Sequence, residues 1–86
     1  MVEKVFVVKN ETGLHARPAS QFVQKAAKFK SVIKLKKDGK EANAKSIISV
    51  LSLGASKGSE ITISCAGDDE QEALSALIEL LDNLEE

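Results

Sequence analysis

The alternation of apolar and polar residues predicts four β-strands. Ile33 and Leu35 alternate with lysines, and Asp38-Gly39 then gives a two-residue hairpin signal before the next short segment. The first segment carries apolar residues on both faces, so its pattern does not fix which face is buried. Strands with one polar face favour an antiparallel sheet with one solvated side. The predicted strands cover residues 2–8, 32–37, 40–43 and 60–66.

Two longer segments carry apolar residues at helical spacing. A helix is predicted from about Ala16, with a stripe formed by Ala19, Phe22, Val23, Ala26 and Phe29. A second helix is predicted after Asp69, which resembles a capping box together with Glu72. Its stripe is formed by Leu74, Leu77, Ile78, Leu81 and Leu84.

A short third helix is predicted from Ser46 to Leu53. Ser46 is a suitable N-cap, and Gly54 is suited to the left-handed residue after the helix. The segment has almost no polar face, and a two-turn helix cannot bury every apolar side chain in so small a domain. We therefore expect some of its residues to form an exposed apolar patch that contacts other proteins, with Ile47, Ile48 and Leu51 as candidates, although burial of all of them in the core remains the alternative.

Composition limits the number of domains and the classes of function that the chain can have. Eighty-six residues with 43% hydrophobic content predict one domain, residues 1–86, and a net charge of −1 gives no support for nucleic-acid binding. Cys65 is the single cysteine and is expected to pack as a small hydrophobe, so no internal disulfide is expected. There is no signal-peptide pattern and no apolar run that could span a membrane, which favours the cytoplasm. One histidine and one cysteine do not supply the spacing of a metal site.

The charges are unevenly distributed along the chain. Eight of the twelve basic residues lie in 25–45, and eight of the thirteen acidic residues lie in 68–86. This distribution predicts a basic side and an acidic side. The basic side could steer an acidic partner, although most such charges in proteins are simply solvated.

The segment Thr12-Gly13-Leu14-His15-Ala16-Arg17-Pro18-Ala19 is the main candidate for chemistry. It contains the only histidine, arginine and proline of the chain, and Gly13 can adopt the positive φ of a sharp turn. His15 would stand at the N-terminus of the first helix, where the dipole and the N–H groups of Ala16 and Arg17 favour an anion. A neutral imidazole is a competent nucleophile near pH 7, and a guanidinium binds phosphate in bidentate fashion. His15 as an ordinary cap residue is the simpler alternative.

This segment resembles a known family. Gly13 to Ala19, followed by Asn43-Ala44-Lys45-Ser46-Ile47 and by Ser52-Leu53-Gly54, is similar to the histidine-containing phosphocarrier protein HPr of the bacterial sugar phosphotransferase system. The resemblance covers the whole chain. It implies an α+β open-faced sandwich of order β-α-β-β-α-β-α, in which three helices cover one face of a four-stranded antiparallel sheet of strand order 1-4-2-3.

The resemblance also implies a function. His15 corresponds to the histidine that takes a phosphoryl group at Nδ1 from phosphorylated enzyme I and passes it to enzyme IIA domains, and Arg17 corresponds to the arginine of that motif. In Gram-positive members of the family, the serine that corresponds to Ser46 is phosphorylated by an ATP-dependent HPr serine kinase, and that form acts as corepressor of the catabolite control protein. Such a protein is a carrier without cofactors and not an independent enzyme, and we expect a monomer.

Two alternatives remain. The chain could be a regulatory adaptor that acts mainly through phosphoserine, like the catabolite-repression paralogues of HPr, but the resemblance implies that those paralogues lack the active histidine, whereas His15 is present here. It could also be a nitrogen-type phosphocarrier with other partners. The short helix departs from the family pattern at three positions, where Ile48, Ser49 and Leu51 replace the Met, Gly and Met associated with it. These differences bear on how strongly the chain binds its partners and on its regulation.

Overall fold

The computed structural model describes residues 1–84 and contains one four-stranded antiparallel sheet and three helices. The strand order is β1-β4-β2-β3, which confirms the predicted open-faced sandwich. In chain order the elements are β1 (Val2–Val7), α1 (Ala16–Ala26), β2 (Val32–Lys37), β3 (Lys40–Asn43), α2 (Ile47–Ser52), β4 (Glu60–Ala66) and α3 (Glu70–Asp82).

The sheet buries one face and exposes the other. Leu35 and Ile63 face each other across β2 and β4 and are fully buried, whereas Lys36 and Thr62 lie on the open face. In β1, where the sequence left the register open, Phe6 is buried and Val5 is exposed. Pairing of Phe6 with Ile61 explains this choice, because it aligns the apolar residues of both strands on the helix side.

The helices complete the core from that same face. The residues they bury include Ala19, Phe22 and Ala26 of α1, Val50 of α2, and Ala73, Leu77 and Leu81 of α3. Phe29 was predicted to extend the α1 stripe, but α1 ends at Ala26, so Phe29 packs against the core from the following loop. None of the helices in the described part of the chain is long and apolar enough to cross a membrane.

The predicted capping box at α3 is wrong. Asp69 is the N-cap residue by position, but its side chain makes no capping hydrogen bond. Its carboxylate instead accepts from the Lys30 N–H at 2.8 Å, from the Ser31 N–H at 3.0 Å and from the Ser31 hydroxyl. These bonds lower the pKa of Asp69, and the bond from the Ser31 hydroxyl has the largest effect. Asp69 therefore ties the start of β2 to the start of α3.

Cys65 lies fully buried on the inner face of β4. Burial, with the nearby carboxylates of Glu70 and Asp69, raises the pKa of its thiol. A thiol held protonated in the core is a poor nucleophile. Its burial agrees with the expectation that Cys65 packs as a small hydrophobe.

Candidate functional site

His15 occupies the N-cap position of α1. Its backbone is extended, with φ −88° and ψ −168°, and its carbonyl oxygen accepts from the Ala19 N–H at 2.8 Å. The imidazole makes no side-chain capping hydrogen bond and is exposed. The structure therefore begins the helix where the sequence predicted and leaves the ring accessible to another protein.

The first turn of α1 is suited to an anion. Ala16 and Arg17 are its first two residues, and N–H groups at these positions have no intrahelical acceptor. Pro18 follows and is buried, while the turn contains no acidic residue. Helix dipoles favour negative charge at this end, and the exposed Arg17 adds a positive side chain beside it. A phosphoryl group on His15 would thus lie in a positive potential.

The turn before His15 is held against the loop that follows α2. Gly13 adopts φ +65°, as its sequence position suggested, and a Cβ there would lie 2.6 Å from the Ser56 Cα and closer still to the Ala55 carbonyl oxygen. That same carbonyl accepts from the Leu14 N–H at 3.0 Å. Leu14 itself is buried. Two backbone segments therefore approach as closely as only glycine allows immediately before His15.

Ser46 caps α2, as predicted. Its hydroxyl accepts from the Ser49 N–H at 3.4 Å, and its carbonyl oxygen accepts from the Val50 N–H at 3.0 Å. At the other end, Gly54 has φ +64° after the C-cap Leu53. Ser46 is half-buried, so its hydroxyl lies near the surface at the N-terminus of this helix.

The exposed apolar surface predicted for the short helix is present. Ile48 is 75% exposed, and Ile47 and Leu51 are each 38% exposed, while Val50 and Leu53 are buried. We call Ile47, Ile48 and Leu51 the α2 patch.

The α2 patch lies beside the His15 segment. Helix α2 packs against α1. The loop that leaves α2 also reaches Leu14 through the Ala55 carbonyl. The α2 patch and His15 are therefore carried by neighbouring elements of the fold.

The basic residues are less concentrated than the sequence suggested. Lys34 and Lys36 lie on the open face of the sheet, opposite the helices, and both are within ion-pair distance of Glu41, at 3.3 and 3.8 Å. Lys45 lies just before α2, where its ammonium donates to the Phe29 carbonyl oxygen at 2.7 Å. Because Lys34 and Lys36 share the open face of the sheet, opposite the helices, only part of the basic cluster lies near α2.

Sequence reasoning missed the residues that support the site from behind. Asn10 is buried, at 7% exposure, and its side-chain amide donates to the Gly13 carbonyl oxygen at 2.7 Å. An Asn three residues before a Gly is a turn signal that could have identified this bond, whereas no local signal announces the contact with Ala55. Among residues 1–84 no group of three or more His, Cys, Asp or Glu side chains could hold a metal ion.

Comparison with known proteins gives consistent matches. Residues 2–83 match the PTS-HPr family, described as the PTS HPr component phosphorylation site. The HPr-like protein Crh of Halalkalibacterium halodurans is 54% identical over 82 residues, which cover 95% of this chain and 98% of that protein. The crystal structure of HPr-C-His from Thermoanaerobacter tengcongensis superposes with a TM-score of 0.93 at 52% identity, covering 95% of this chain and 92% of the other.

A dimeric relative is also similar. The crystal structure of Bacillus subtilis Crh, an intertwined dimer with a swapping domain, has a TM-score of 0.77 at 49% identity and covers 95% of this chain and 94% of the other. The monomer expected from the sequence is therefore not the form that this relative adopts in its crystal.

Proposed function

Because the chain belongs to the PTS-HPr family, we propose that it relays a phosphoryl group on His15 from phosphorylated enzyme I to enzyme IIA domains of sugar permeases. Proteins of this family are phosphocarriers and not independent catalysts. The observation that supports the relay best is the exposed imidazole of His15 at the N-terminus of α1, without a capping hydrogen bond of its own.

In the proposed reaction, Nδ1 of the neutral imidazole attacks the phosphorus atom of the donor. An N–P bond forms as the bond between phosphorus and the donor breaks, and the negative charge stays on the three phosphoryl oxygens. Enzymes stabilise such transfers mainly by positioning and electrostatics. The exposed guanidinium of Arg17 and the N–H groups of Ala16 and Arg17 supply positive potential at these oxygens. In the second step a nucleophile of the acceptor attacks the phosphorus atom, and the N–P bond breaks with its electron pair returning to Nδ1 of His15.

The test of this function is labelling by enzyme I. The pure protein is incubated with enzyme I and labelled phosphoenolpyruvate, and the label is then exposed to acid and to alkali. We expect one phosphoryl group per chain, released by acid and retained in alkali, as for an N–P bond to histidine. A label that survives acid would instead indicate a phosphoester on serine or threonine and would contradict the proposal.

The α2 patch is the proposed docking surface for both donor and acceptor, since a relay exposes one site to each in turn. Burial of a full Ile side chain stabilises a complex by about 1.5–3 kcal/mol. Ile48→Glu should therefore weaken binding to enzyme I by about tenfold or more. Titration calorimetry measures the change.

A matched control separates docking from general surface effects. Val32 is 60% exposed but lies on β2, away from the helices. Val32→Glu introduces the same charge on another exposed aliphatic side chain, and we expect it to leave binding unchanged. Equal affinity for the Ile48→Glu variant and the wild type would remove the α2 patch from the interface.

We also propose that Ser46 is a regulatory phosphorylation site, for an HPr serine kinase, and that its phosphate slows transfer at His15 through charge. A phosphate at the N-cap adds a charge of about −1.5 to −2 where the helix dipole tolerates it, so folding should survive. The same charge lies at the end of the α2 patch, where burying it against a partner without compensation is costly.

Ser46→Asp should reproduce part of this effect with a single charge. Aspartate is also a good N-cap, so the melting temperature should change little. We expect the Michaelis constant for enzyme I to rise several-fold at low salt and the difference to shrink at high salt, because screening weakens exposed charges. Ser46→Ala is the uncharged control. Equal constants for the Ser46→Asp variant and the wild type at low salt would contradict this mechanism.

A regulatory adaptor is the second candidate function. Identities of 54% and 52% to two proteins named HPr-like protein Crh favour it. In that case phosphoserine at position 46 would carry the signal to a partner such as the catabolite control protein, and His15 would be idle. The enzyme I labelling described above discriminates the two, because an adaptor that signals only through Ser46 takes no label from enzyme I.

A further inference from the structure

The position of the His15 ring depends on the backbone that carries it. The ring makes no capping hydrogen bond, so no bond to its own helix N-terminus fixes it. On the downstream side, the His15 carbonyl is held by the Ala19 N–H within the first turn of α1. On the upstream side, the segment 10–14 must place His15, and the bonds within that segment determine how firmly it does so.

The upstream segment is a turn closed from both directions. The Gly13 N–H donates to the Asn10 carbonyl oxygen at 3.2 Å, and the Asn10 side-chain amide donates to the Gly13 carbonyl oxygen at 2.7 Å. The same amide lies 3.5 Å from the Thr12 hydroxyl oxygen. Because Asn10 is only 7% exposed, water competes little for these bonds.

We propose that Asn10 is a positioning residue for phosphoryl transfer at His15, an inference that rests on the proposed function. The bond from Asn10 fixes the carbonyl of Gly13. This places the Leu14 N–H where it donates to the Ala55 carbonyl oxygen. His15 follows directly. Loss of the amide leaves the Gly13 carbonyl, in a buried turn, without this donor, so the turn shifts to find another partner. A displacement of the reacting nitrogen by a fraction of an ångström slows transfer without removing any group that touches the donor.

Asn10→Asp and Asn10→Ala test this role. Aspartate keeps the shape of the side chain but presents an oxygen to the Gly13 carbonyl oxygen, whereas alanine removes the contact. With enzyme I at saturating donor, we expect the maximal rate of phosphorylation to fall about tenfold or more in both variants. The Michaelis constant should stay within about twofold, because the α2 patch is untouched.

Asn83→Ala is the matched control. The Asn83 side-chain amide donates to the Glu79 carbonyl oxygen at 2.8 Å at the end of α3. This variant removes a comparable side-chain bond to a backbone carbonyl, and we expect no change in transfer. All rates are measured at a temperature where circular dichroism shows each variant folded. If one of the two Asn10 variants fails to fold, the other still tests the proposal.

A second readout does not depend on transfer. In NMR spectra of both Asn10 variants, the chemical shifts of backbone amides should change in residues 10–16 and at Ala55 and Ser56. The other amide shifts should change very little. An unchanged maximal rate, or a raised Michaelis constant with an unchanged rate, would overturn the proposal. If the wild type takes no phosphoryl group from enzyme I, the proposed function fails. The amide shifts then test the role of Asn10 independently of transfer. A changed shift at His15 supports Asn10 as the residue that positions it, and an unchanged shift at His15 contradicts that role as well.

Discussion

Replacement of His15 by alanine is expected to abolish phosphoryl acceptance from phosphorylated enzyme I. His15 is the only histidine in the chain, so no second imidazole can substitute for it. The stability should remain within about 0.5 kcal/mol of the wild type, as is usual for exposed positions, because the ring is exposed and makes no capping hydrogen bond. Label incorporation and thermal melting, measured side by side, check both expectations.

Ser46→Ala is the control for His15→Ala, since Ser46 is the other proposed phosphorylation site. It should accept label from enzyme I at the wild-type level. Undiminished labelling of the His15→Ala variant would identify a different acceptor. A large fall in the melting temperature of the His15→Ala variant would instead show that His15 supports the fold.

Gly13→Ala should have the second large effect, because it damages both the fold and the site. A non-glycine residue in the left-handed region costs about 1–2 kcal/mol. The new Cβ would in addition collide with backbone atoms of Ala55 and Ser56, which cannot rotate aside as a flexible side chain can. We expect a loss of stability above about 2 kcal/mol, which corresponds to a fall in melting temperature of roughly 8–16 °C for a domain of this size. Transfer at His15 should also slow sharply.

The chain offers a close control for Gly13. Gly54 has φ +64°, nearly the same as Gly13, but a Cβ there meets nothing within 4 Å. Gly54→Ala therefore carries the conformational cost without the collision, and it should be clearly more stable than Gly13→Ala. Equal melting temperatures for the two variants would show that the loop after α2 moves aside freely and does not clamp the His15 segment.

Local sequence signals predicted most of the elements. Strict alternation of Ile33 and Leu35 with lysines, and the Asp38-Gly39 turn, located β2 and β3 to the residue. Ser46 and Gly54 bounded α2 correctly, because caps are local features that depend on residue type and on a few neighbouring bonds. The His15 segment was likewise predicted at the start of α1.

Contacts between distant segments could not be predicted in the same way. Asp69 was interpreted as a cap for its own helix, but it binds Lys30 and Ser31, which lie 39 and 38 residues away. The buried face of β1 was decided by its register with β4. In both cases partners far along the chain competed with a plausible local pattern and gave the better arrangement.

Onward transfer to an enzyme IIA domain tests the relay most directly. The protein is labelled by enzyme I, separated from it, and mixed with the enzyme IIA domain, and the label on each protein is followed by rapid quenching. We expect the label to leave this protein and appear on the enzyme IIA domain, with none appearing when His15→Ala is taken through the same steps. A label that stays on this protein in the presence of each enzyme IIA domain of the same cell, or that moves equally well in the His15→Ala variant, would contradict the relay.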